Sequence, residues 1–424
     1  MDQKTAFNLM ANGENVFLTG MAGTGKSYLL NKYINYCHDN NLRIAVTAST
    51  GIAASHLSGR TIHSWSSLGI KSEEDLDIKA AYNPYTQDRI RNTDVLIIDE
   101  ISMLHAYQLD FVDNICRKIL DEDEPFGGIQ IILCGDFLQL PPVSKNTAVR
   151  YAFDSDAWKD ADLKICYLTH IYRQDDPTFI QILNTLRQGQ FDRAAYHTLA
   201  SLVNNDLGDQ KLIELYPKNI EVDFINNKML REIPGEAQEY KMSSSGDQHI
   251  VDMLKRTIIT PEVLKLKVGA IVILTKNSPT GDFVNGTFGE VVGLGKYPKV
   301  KLINGSVISV DKMSWEFTEY NFRTGRYETK ASVTQIPLKL AFAITTHKSQ
   351  GCTLDCAKIG LSNLFSPNMG YVALSRVRSL KYVSLTSLDG TIYYSSLYLL
   401  EKDKYFQQES NNLQNSLVSC ETKN

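Results

Sequence analysis

The chain has 424 residues, a length typical of about two to four domains. Its hydrophobic fraction is 43%, and its formal net charge is −4 at pH 7. The negative charge argues against a uniformly basic nucleic-acid coat but leaves room for a local basic groove. Seven scattered cysteines without a Cys-x-x-Cys pair argue against a disulfide framework, a zinc site or an iron–sulfur cluster, and the absence of a signal pattern or a membrane-length apolar run predicts a soluble cytoplasmic protein.

The segment GMAGTGKS, residues 20–27, follows the apolar run Val16–Leu18 and precedes a predicted helix. Strand, glycine loop and helix in this order predict a phosphate-binding P-loop, with a structural glycine turn as the alternative. Backbone amides at the helix N-terminus would face the phosphates. Lys26 would neutralise the β- and γ-phosphates, and Ser27 would bind Mg²⁺. The predicted nucleotide contacts of the loop are Gly20, Ala22, Gly23, Thr24, Gly25, Lys26 and Ser27.

Two segments after the P-loop carry residue types that can contact a nucleic acid. Small hydroxyl residues and a glycine, Ser49–Gly51, close the predicted strand 43–48 and can bind a backbone phosphate. His63 and Trp65 can offer a hydrogen bond and a stacking face to a single strand, or can be a buried His and a packed Trp. Residues 66–92 are polar and irregular, and we expect an excursion from the core there.

Two carboxylates follow the apolar run Val95–Ile98, which predicts a parallel strand buried on both faces. Asp99 is predicted to hold Mg²⁺, and Glu100 to orient or deprotonate the attacking water. A second buried strand, residues 129–136, leads to Gln139, whose neutral amide suits the sensing of a γ-phosphate, with a structural loop as the alternative. Such strands after a P-loop indicate a doubly wound α/β nucleoside-triphosphatase core.

The second half of the chain repeats the α/β pattern around an insertion. Arg173 heads a helical stretch and Arg376 ends another, and either arginine can reach a γ-phosphate or form a surface ion pair. Residues 265–335 contain short β-like segments separated by turn signals, which predict a small inserted β-barrel. Hydroxyls, a cation and a glycine cluster in residues 345–353, as a phosphate-backbone contact requires. Beyond Glu401 the chain is polar, and we expect it to be frayed.

The motifs VLIIDEISM, GDFLQLPPV, THKSQG and YVALSR follow the P-loop in the order and spacing of superfamily-one DNA helicases. The segments TASTGIAASHLSGRTIHSW and YLTHIYRQDDPTFIQILNTLRQG resemble motifs of the PIF (petite integration frequency) helicases, in a compact bacterial-type form. The resemblance extends from residue 1 to about residue 390, and the Dda and RecD-type helicases are more distant look-alikes.

The resemblance implies an α/β fold with two RecA-like P-loop NTPase domains, a small strand-separating insertion and an inserted Src-homology-like β-barrel. The first implied RecA-like domain is residues 1–165, with the strand-separating insertion at 65–90. The second is residues 166–264 and 336–402, with the β-barrel inserted at 265–335, and a polar tail follows at 403–424. It further implies that Arg173 and Arg376 contact the γ-phosphate, that Gln3 recognises adenine and that Gly351 contacts the nucleotide. The implied DNA contacts are Thr50, Gly51, His63, Trp65, Asn285, Thr346, His347 and Lys348.

The implied activity is that of a monomeric helicase that uses ATP and Mg²⁺ and moves 5′ to 3′ on single-stranded DNA. Duplexes, forks, G-quadruplexes and RNA–DNA hybrids are the implied substrates, in DNA repair, recombination or genome maintenance, near the nucleoid if the source is bacterial. Two rivals remain open. One is a nucleotide-dependent switch that binds a protein and no DNA, and the other is a DNA-stimulated ATPase that moves along a strand without separating duplexes.

Overall fold

The structure is a computed structural model that describes residues 1–57, 59–69, 73, 76–143, 149–208, 212–302, 304–321 and 326–421. The chain divides into two compact units, residues 1–211 with 346–424, and residues 212–345. Within the described residues, every helix is too short or too polar to span a bilayer.

Helices and strands alternate in the first unit, and strands dominate the second. The strands are β1 Val16–Gly20, β2 Ile44–Ala48, β3 Arg60–Thr61, β4 Val95–Asp99, β5 Gln130–Cys134, β6 Lys164–Leu168, β7 Ile213–Tyr216, β8 Gln238–Lys241, β9 Ser243–Gly246, β10 Val263–Leu266, β11 Ile271–Leu274, β12 Phe288–Gly293, β13 Lys299–Leu302, β14 Val307–Ser309, β15 Met313–Asn321, β16 Arg326–Gln335, β17 Leu338–Leu340, β18 Ala343–Thr345, β19 Ala357–Leu361 and β20 Val383–Leu388. The α-helices are α1 Gln3–Ala11, α2 Lys26–Asp39, α3 Gly51–His56, α4 Ile62–Trp65, α5 Ile78–Ala81, α6 Pro84–Arg91, α7 Ala106–Leu120, α8 Asp156–Asp160, α9 Pro177–Arg187, α10 Arg193–Ala200, α11 Asn219–Glu232, α12 Gln248–Thr257, α13 Met369–Leu374 and α14 Leu397–Glu421.

The first unit is built on a six-stranded sheet in the order β3-β2-β4-β5-β1-β6, with every pairing parallel. The apolar strands β1, β4 and β5 lie at its centre and are buried along nearly their whole length, as their continuous apolar runs predicted. The predicted α/β class with a parallel core is therefore confirmed. Because β6 pairs with β1, the predicted boundary between residues 165 and 166 cuts a strand of this sheet.

The register of the central strands decides where the motifs meet. Leu18 of β1 lies beside Cys134 of β5, and Ile98 of β4 lies beside Leu133. Since parallel strands end at the same edge of a sheet, the P-loop, the acidic pair after β4 and the segment that follows β5 all leave the sheet together.

Part of the predicted excursion at 65–90 packs on the core. Trp65, Leu68, Ala81 and Ile90 all belong to the main apolar cluster of the first unit. Residues 70–72, 74 and 75 lie outside the described residues. The strand-separating role of this insertion stays a prediction.

The second unit changes from α/β to antiparallel β-structure, as the turn signals predicted. Its β7 and β18 pair in parallel. The other strands form antiparallel sheets in the orders β10-β8, β14-β13-β12-β11-β17 and β15-β16-β9. Leu264, Val272, Val300 and Leu338 are buried in one shared apolar cluster. The assignment of a Src-homology-like barrel stays a prediction.

The C-terminal segment is helical, so the expectation of a frayed end is wrong for residues 403–421. In α14, Phe406 is buried with its ring centroid 5.1 Å from that of Phe17 in β1. The Ser410 hydroxyl accepts a hydrogen bond of 3.0 Å from the Tyr167 amide of β6. The polar composition concealed a sparse apolar stripe that packs on the sheet only through tertiary contacts.

A buried ion network ties α14 to α9 and to the segment after β5. The Arg187 guanidinium, 2% exposed, donates to Asp136 Oδ1 and to Asp403 Oδ1, both at 2.8 Å. The Tyr167 hydroxyl donates to the Asp403 carboxylate at 3.2 Å. Burial acts to raise the pKa of the Asp136 carboxyl, but the charge and hydrogen bonds of Arg187, together with the Lys26 charge and the Leu138 amide, outweigh it and lower the pKa. Asp136 begins the segment that carries Gln139, so the network fixes that segment.

We expect Arg187→Met to lower the free energy of unfolding by about 3–5 kcal/mol, because it leaves buried carboxylates without their cation. Urea unfolding followed by circular dichroism would measure the loss. Lys159→Met is the matched control, since it breaks an exposed ion pair with Asp156 and should leave the transition midpoint unchanged. Equal midpoints for the two variants would contradict a stabilising role of the network.

Candidate functional site

The P-loop conformation depends on two glycines in the left-handed region. Gly23 has φ 86° and Gly25 has φ 83°. A Cβ atom at Gly25 would lie 2.3 Å from Gln3 Nε2, and one at Gly23 would lie 2.7 Å from Arg173 Cβ. Glycine is therefore required at both positions by backbone conformation and by the close approach of neighbouring side chains.

The cation and hydroxyl of the P-loop lie at the start of α2. Lys26 Nζ donates to the carbonyl oxygens of Gly20 at 2.6 Å and Met21 at 3.0 Å, so the ammonium group bends back over the loop. The side chain of Ser27 is exposed beside it. The loop thus presents a positive charge and a hydroxyl next to the amides of a helix N-terminus, which is an arrangement that binds phosphate.

A cavity of about 350 Å³ opens beside the P-loop, within the first unit. The predicted site residues that line it are Ala22, Gly23, Gly25, Lys26, Ser27, Glu100, Gln139, Arg173, Gly351 and Arg376. Tyr28, Tyr172, Thr353 and Arg378 also line it and were not predicted. The structure therefore brings together motifs from both ends of the chain around one space.

The remaining predicted nucleotide residues lie around this cavity. Gln3 Nε2 donates to the Thr24 carbonyl at 3.2 Å, which places the Gln3 amide against the P-loop. Thr24 is buried, and its hydroxyl donates to Met21 O at 2.9 Å. Asp99 Oδ1 accepts from the Glu100 amide at 2.9 Å at the end of β4.

The Glu100 carboxylate faces the cavity in an unusual electrostatic setting. Burial, together with the neighbouring Asp99 charge, raises the pKa of Glu100 to about 7. Gln350 Nε2 donates to Glu100 Oε2 at 2.8 Å. A carboxylate whose pKa lies near neutrality suits the transfer of a proton from water.

Two arginines approach the same cavity. Arg376 is 2% exposed, and its Nε donates to Val372 O at 2.9 Å. Arg173 Nη1 donates to Ser375 O at 2.9 Å. Burial lowers the pKa of both guanidinium groups, and the adjacent Arg376 charge contributes to a pKa of about 10 for Arg173. Both groups still carry a charge at neutral pH, so the cavity concentrates positive charge that an anion would stabilise.

Two residues that support the site, Tyr371 and Gln350, lie inside motifs identified from the sequence, but the sequence analysis assigned no role to either residue. The Tyr371 hydroxyl accepts a hydrogen bond of 2.8 Å from the Ala22 amide and therefore supports the P-loop. Gln350 bonds to Glu100 as described above. Tyr371 begins the motif YVALSR, and Gln350 precedes Gly351 in THKSQG, so these motifs were the available signal. Tyr172, 61% exposed, precedes Arg173 in the segment YLTHIYRQDDPTFIQILNTLRQG, so a signal of the same kind was available for it.

The predicted DNA-contacting residues belong to several segments of the chain. Thr50 precedes α3, whose first residue is Gly51, and the Thr50 hydroxyl accepts from the Ala53 amide at 3.2 Å. Thr346, His347 and Lys348 form a 3₁₀ turn, Thr346–Ser349. The His347 ring stacks on the exposed Phe365 ring with centroids 5.8 Å apart. Asn285 lies in the second unit.

The residues His63 and Trp65 differ in their environment. Trp65 is 3% exposed and belongs to the main apolar cluster, so the prediction that it offers a stacking face is wrong for this structure. Its indole fills the core instead. His63 is half-buried, its Nε2 lies 3.1 Å from Gln108 Nε2, and burial lowers its pKa. A DNA contact of His63 stays a prediction.

Comparisons with known proteins identify the family. A profile described as PIF1-like helicase matches residues 1–196. The chain is 38% identical over 455 aligned residues to the ATP-dependent DNA helicase Pif1 of Psychrobacter sp., an alignment that covers 92% of this chain and 68%, about two thirds, of that protein. The crystal structure of Pif1 helicase from Candida albicans is 33% identical, with a TM-score of 0.88 and coverage of 95% of this chain and 98% of that one.

A second solved structure, Pif1 helicase from Bacteroides in complex with ADP-AlF3 and ssDNA, is 31% identical with a TM-score of 0.81. That alignment covers 96% of this chain and 97% of the Bacteroides chain. Identity and coverage at these levels extend well beyond the P-loop core, so the relationship does not depend on one motif. The chain therefore belongs to the PIF1-like helicases, a family of ATP-dependent DNA helicases.

Proposed function

We propose that this protein couples ATP hydrolysis to 5′-to-3′ movement on single-stranded DNA and to the separation of duplexes and forks. The observation that supports this most strongly is the convergence of the P-loop, Glu100, Gln139 and both arginines on one cavity. The Bacteroides relative with ADP-AlF3 and ssDNA supports a nucleotide in this cavity and a DNA strand as partner.

The proposed chemistry assigns one task to each side chain. Lys26 neutralises charge on the β- and γ-phosphates, and Glu100 orients the attacking water and accepts its proton. Gln139 contacts the γ-phosphate, and Arg173 and Arg376 stabilise the charge that develops on it during transfer. Gln3 recognises the adenine edge, consistent with its position against the P-loop.

Ser27 and Asp99 would hold Mg²⁺. The exposed hydroxyl at the start of α2 and the carboxylate at the end of β4 are the oxygen donors that this hard cation prefers, so the residues present fit it. The ion would supply charge neutralisation at the phosphates.

Stepping would follow from the same electrostatics. Phosphates bound by the P-loop attract the two arginines, and cleavage of the γ-phosphate removes part of that attraction. Segments that grip DNA in alternation would convert this cycle into directed movement.

We also propose that the chain contains two RecA-like domains, a strand-separating insertion and a β-barrel at 265–335. The proposed active form is a monomer, and the proposed substrates include G-quadruplexes and RNA–DNA hybrids.

We expect Lys26→Ala to lower kcat for ATP hydrolysis by at least about 100-fold, because the phosphates lose their main cation. Phosphate release would measure the rate, and fluorescence anisotropy should show retained binding to an oligothymidine strand. Lys32→Ala, an exposed lysine of the same helix, is the control and should hydrolyse ATP normally. Unwinding by the Lys26 variant would refute its assignment.

Arg376→Lys should lower kcat by about 10²–10³-fold with a much smaller change in KM for ATP, because a lysine keeps the charge but loses the planar fork. Steady-state kinetics would measure both constants, and a nucleotide-binding assay would give the affinity directly. Equal losses in turnover and affinity would contradict a transition-state role for Arg376.

Duplexes with a 5′ or a 3′ single-stranded tail separate the proposal from its rivals. We expect strand release from the 5′-tailed duplex only, together with ATPase activity stimulated by single-stranded DNA. Stimulated hydrolysis without release would favour a translocase that does not separate strands. Hydrolysis indifferent to DNA would favour a protein-binding switch.

A further inference from the structure

Two segments predicted to contact DNA both form hydrogen bonds with Glu100. From the Ser49–Gly51 segment, the Ser49 hydroxyl donates to the Glu100 carbonyl oxygen at 2.8 Å. Gln350, which directly follows the turn at residues 346–349, donates through Nε2 to the Glu100 carboxylate at 2.8 Å. The first bond holds the backbone of Glu100, and the second holds the carboxylate itself.

Only one end of the Gln350 side-chain amide forms a hydrogen bond with the residues that the structure describes. The side chain is 5% exposed, and its Nε2 is bound by the carboxylate. Its Oε1 is buried and accepts no hydrogen bond from any of the residues that the structure describes. Leaving a buried acceptor unpaired has a free-energy cost, which reduces the net stability of this side-chain arrangement. A buried amide with one paired and one unpaired end is suited to changing its position when its backbone moves.

The backbone of Gln350 is continuous with the predicted DNA contacts. Its amide nitrogen donates to His347 O at 3.4 Å, and the Ser349 hydroxyl donates to Thr346 O at 2.8 Å. These short-range bonds make residues 346–350 one compact turn. A shift of the turn on binding a phosphate backbone would therefore move the Gln350 side chain as well.

We propose that Gln350 is a positioning residue that restrains the Glu100 carboxylate until single-stranded DNA occupies the 346–348 turn. The inference rests on the proposed function and deepens it, because it names the contact through which DNA stimulates hydrolysis. In the restrained state, the Gln350 amide engages Glu100 Oε2, one of the two oxygens with which the carboxylate can orient the attacking water. When the turn moves, the amide withdraws, and both carboxylate oxygens face the cavity.

The test is Gln350→Met, which preserves the length of the side chain and removes the donor. Without DNA, kcat for ATP hydrolysis should rise about tenfold, the scale expected for losing one hydrogen bond to a charged group. KM for ATP and the Kd for an oligothymidine strand should stay unchanged, and saturating DNA should add little further rate. A merely structural residue would not increase the DNA-free rate when it is replaced.

Gln130→Met is the matched control, since Gln130 is an amide remote from the cavity whose Nε2 donates to Met10 O at 2.8 Å. It should keep the stimulation ratio of the unmodified protein, and thermal unfolding would show that both variants fold. If the Gln350→Met variant hydrolyses ATP at an unchanged or lower rate without DNA, or is still fully stimulated by DNA, this inference is overturned and the proposed function is not. An unmodified protein whose hydrolysis ignores DNA would overturn the proposed function as well.

Discussion

The parallel register of β1, β4 and β5 is the constraint on which the site depends. Because these strands run in the same direction and pair in register, their carboxyl ends lie along one edge of the sheet. The P-loop, the Asp99–Glu100 pair and the segment that leads to Gln139 leave from that edge. Residues far apart in the chain thereby meet without any long side-chain reach, and the buried faces of the strands hold them rigidly.

Rigidity at this edge is reinforced from outside the sheet. Arg187 of α9 joins Asp403 of α14 to Asp136, the residue at which the segment carrying Gln139 begins. A buried guanidinium shared by two carboxylates tolerates little displacement, because any movement would leave a charge unpaired in a poorly solvated place. The C-terminal helix is therefore part of the architecture of the site and not an appendage.

The electrostatics of the cavity explain why the site suits a nucleoside triphosphate. Lys26, Arg173 and Arg376 line the cavity, and burial lowers the pKa of both arginines without removing their charge at neutral pH. Such an arrangement is unfavourable when no anion is bound and becomes favourable when phosphates enter. Glu100 is the counterpart, a carboxylate in the same cavity that is hydrogen-bonded to the two segments predicted to contact DNA.

The amino-acid sequence alone determined the features that depend on local pattern: the P-loop, the apolar parallel strands, the acidic pair and the shift to antiparallel strands at 265–335. Backbone conformation and burial periodicity are encoded within a few residues, so a motif reveals them. Tertiary structure alone decided that Trp65 fills the core, that α14 packs on the sheet through Phe406, and that Gln350 binds Glu100. These outcomes depend on partners distant along the chain, and no local pattern specifies which partner a side chain will meet.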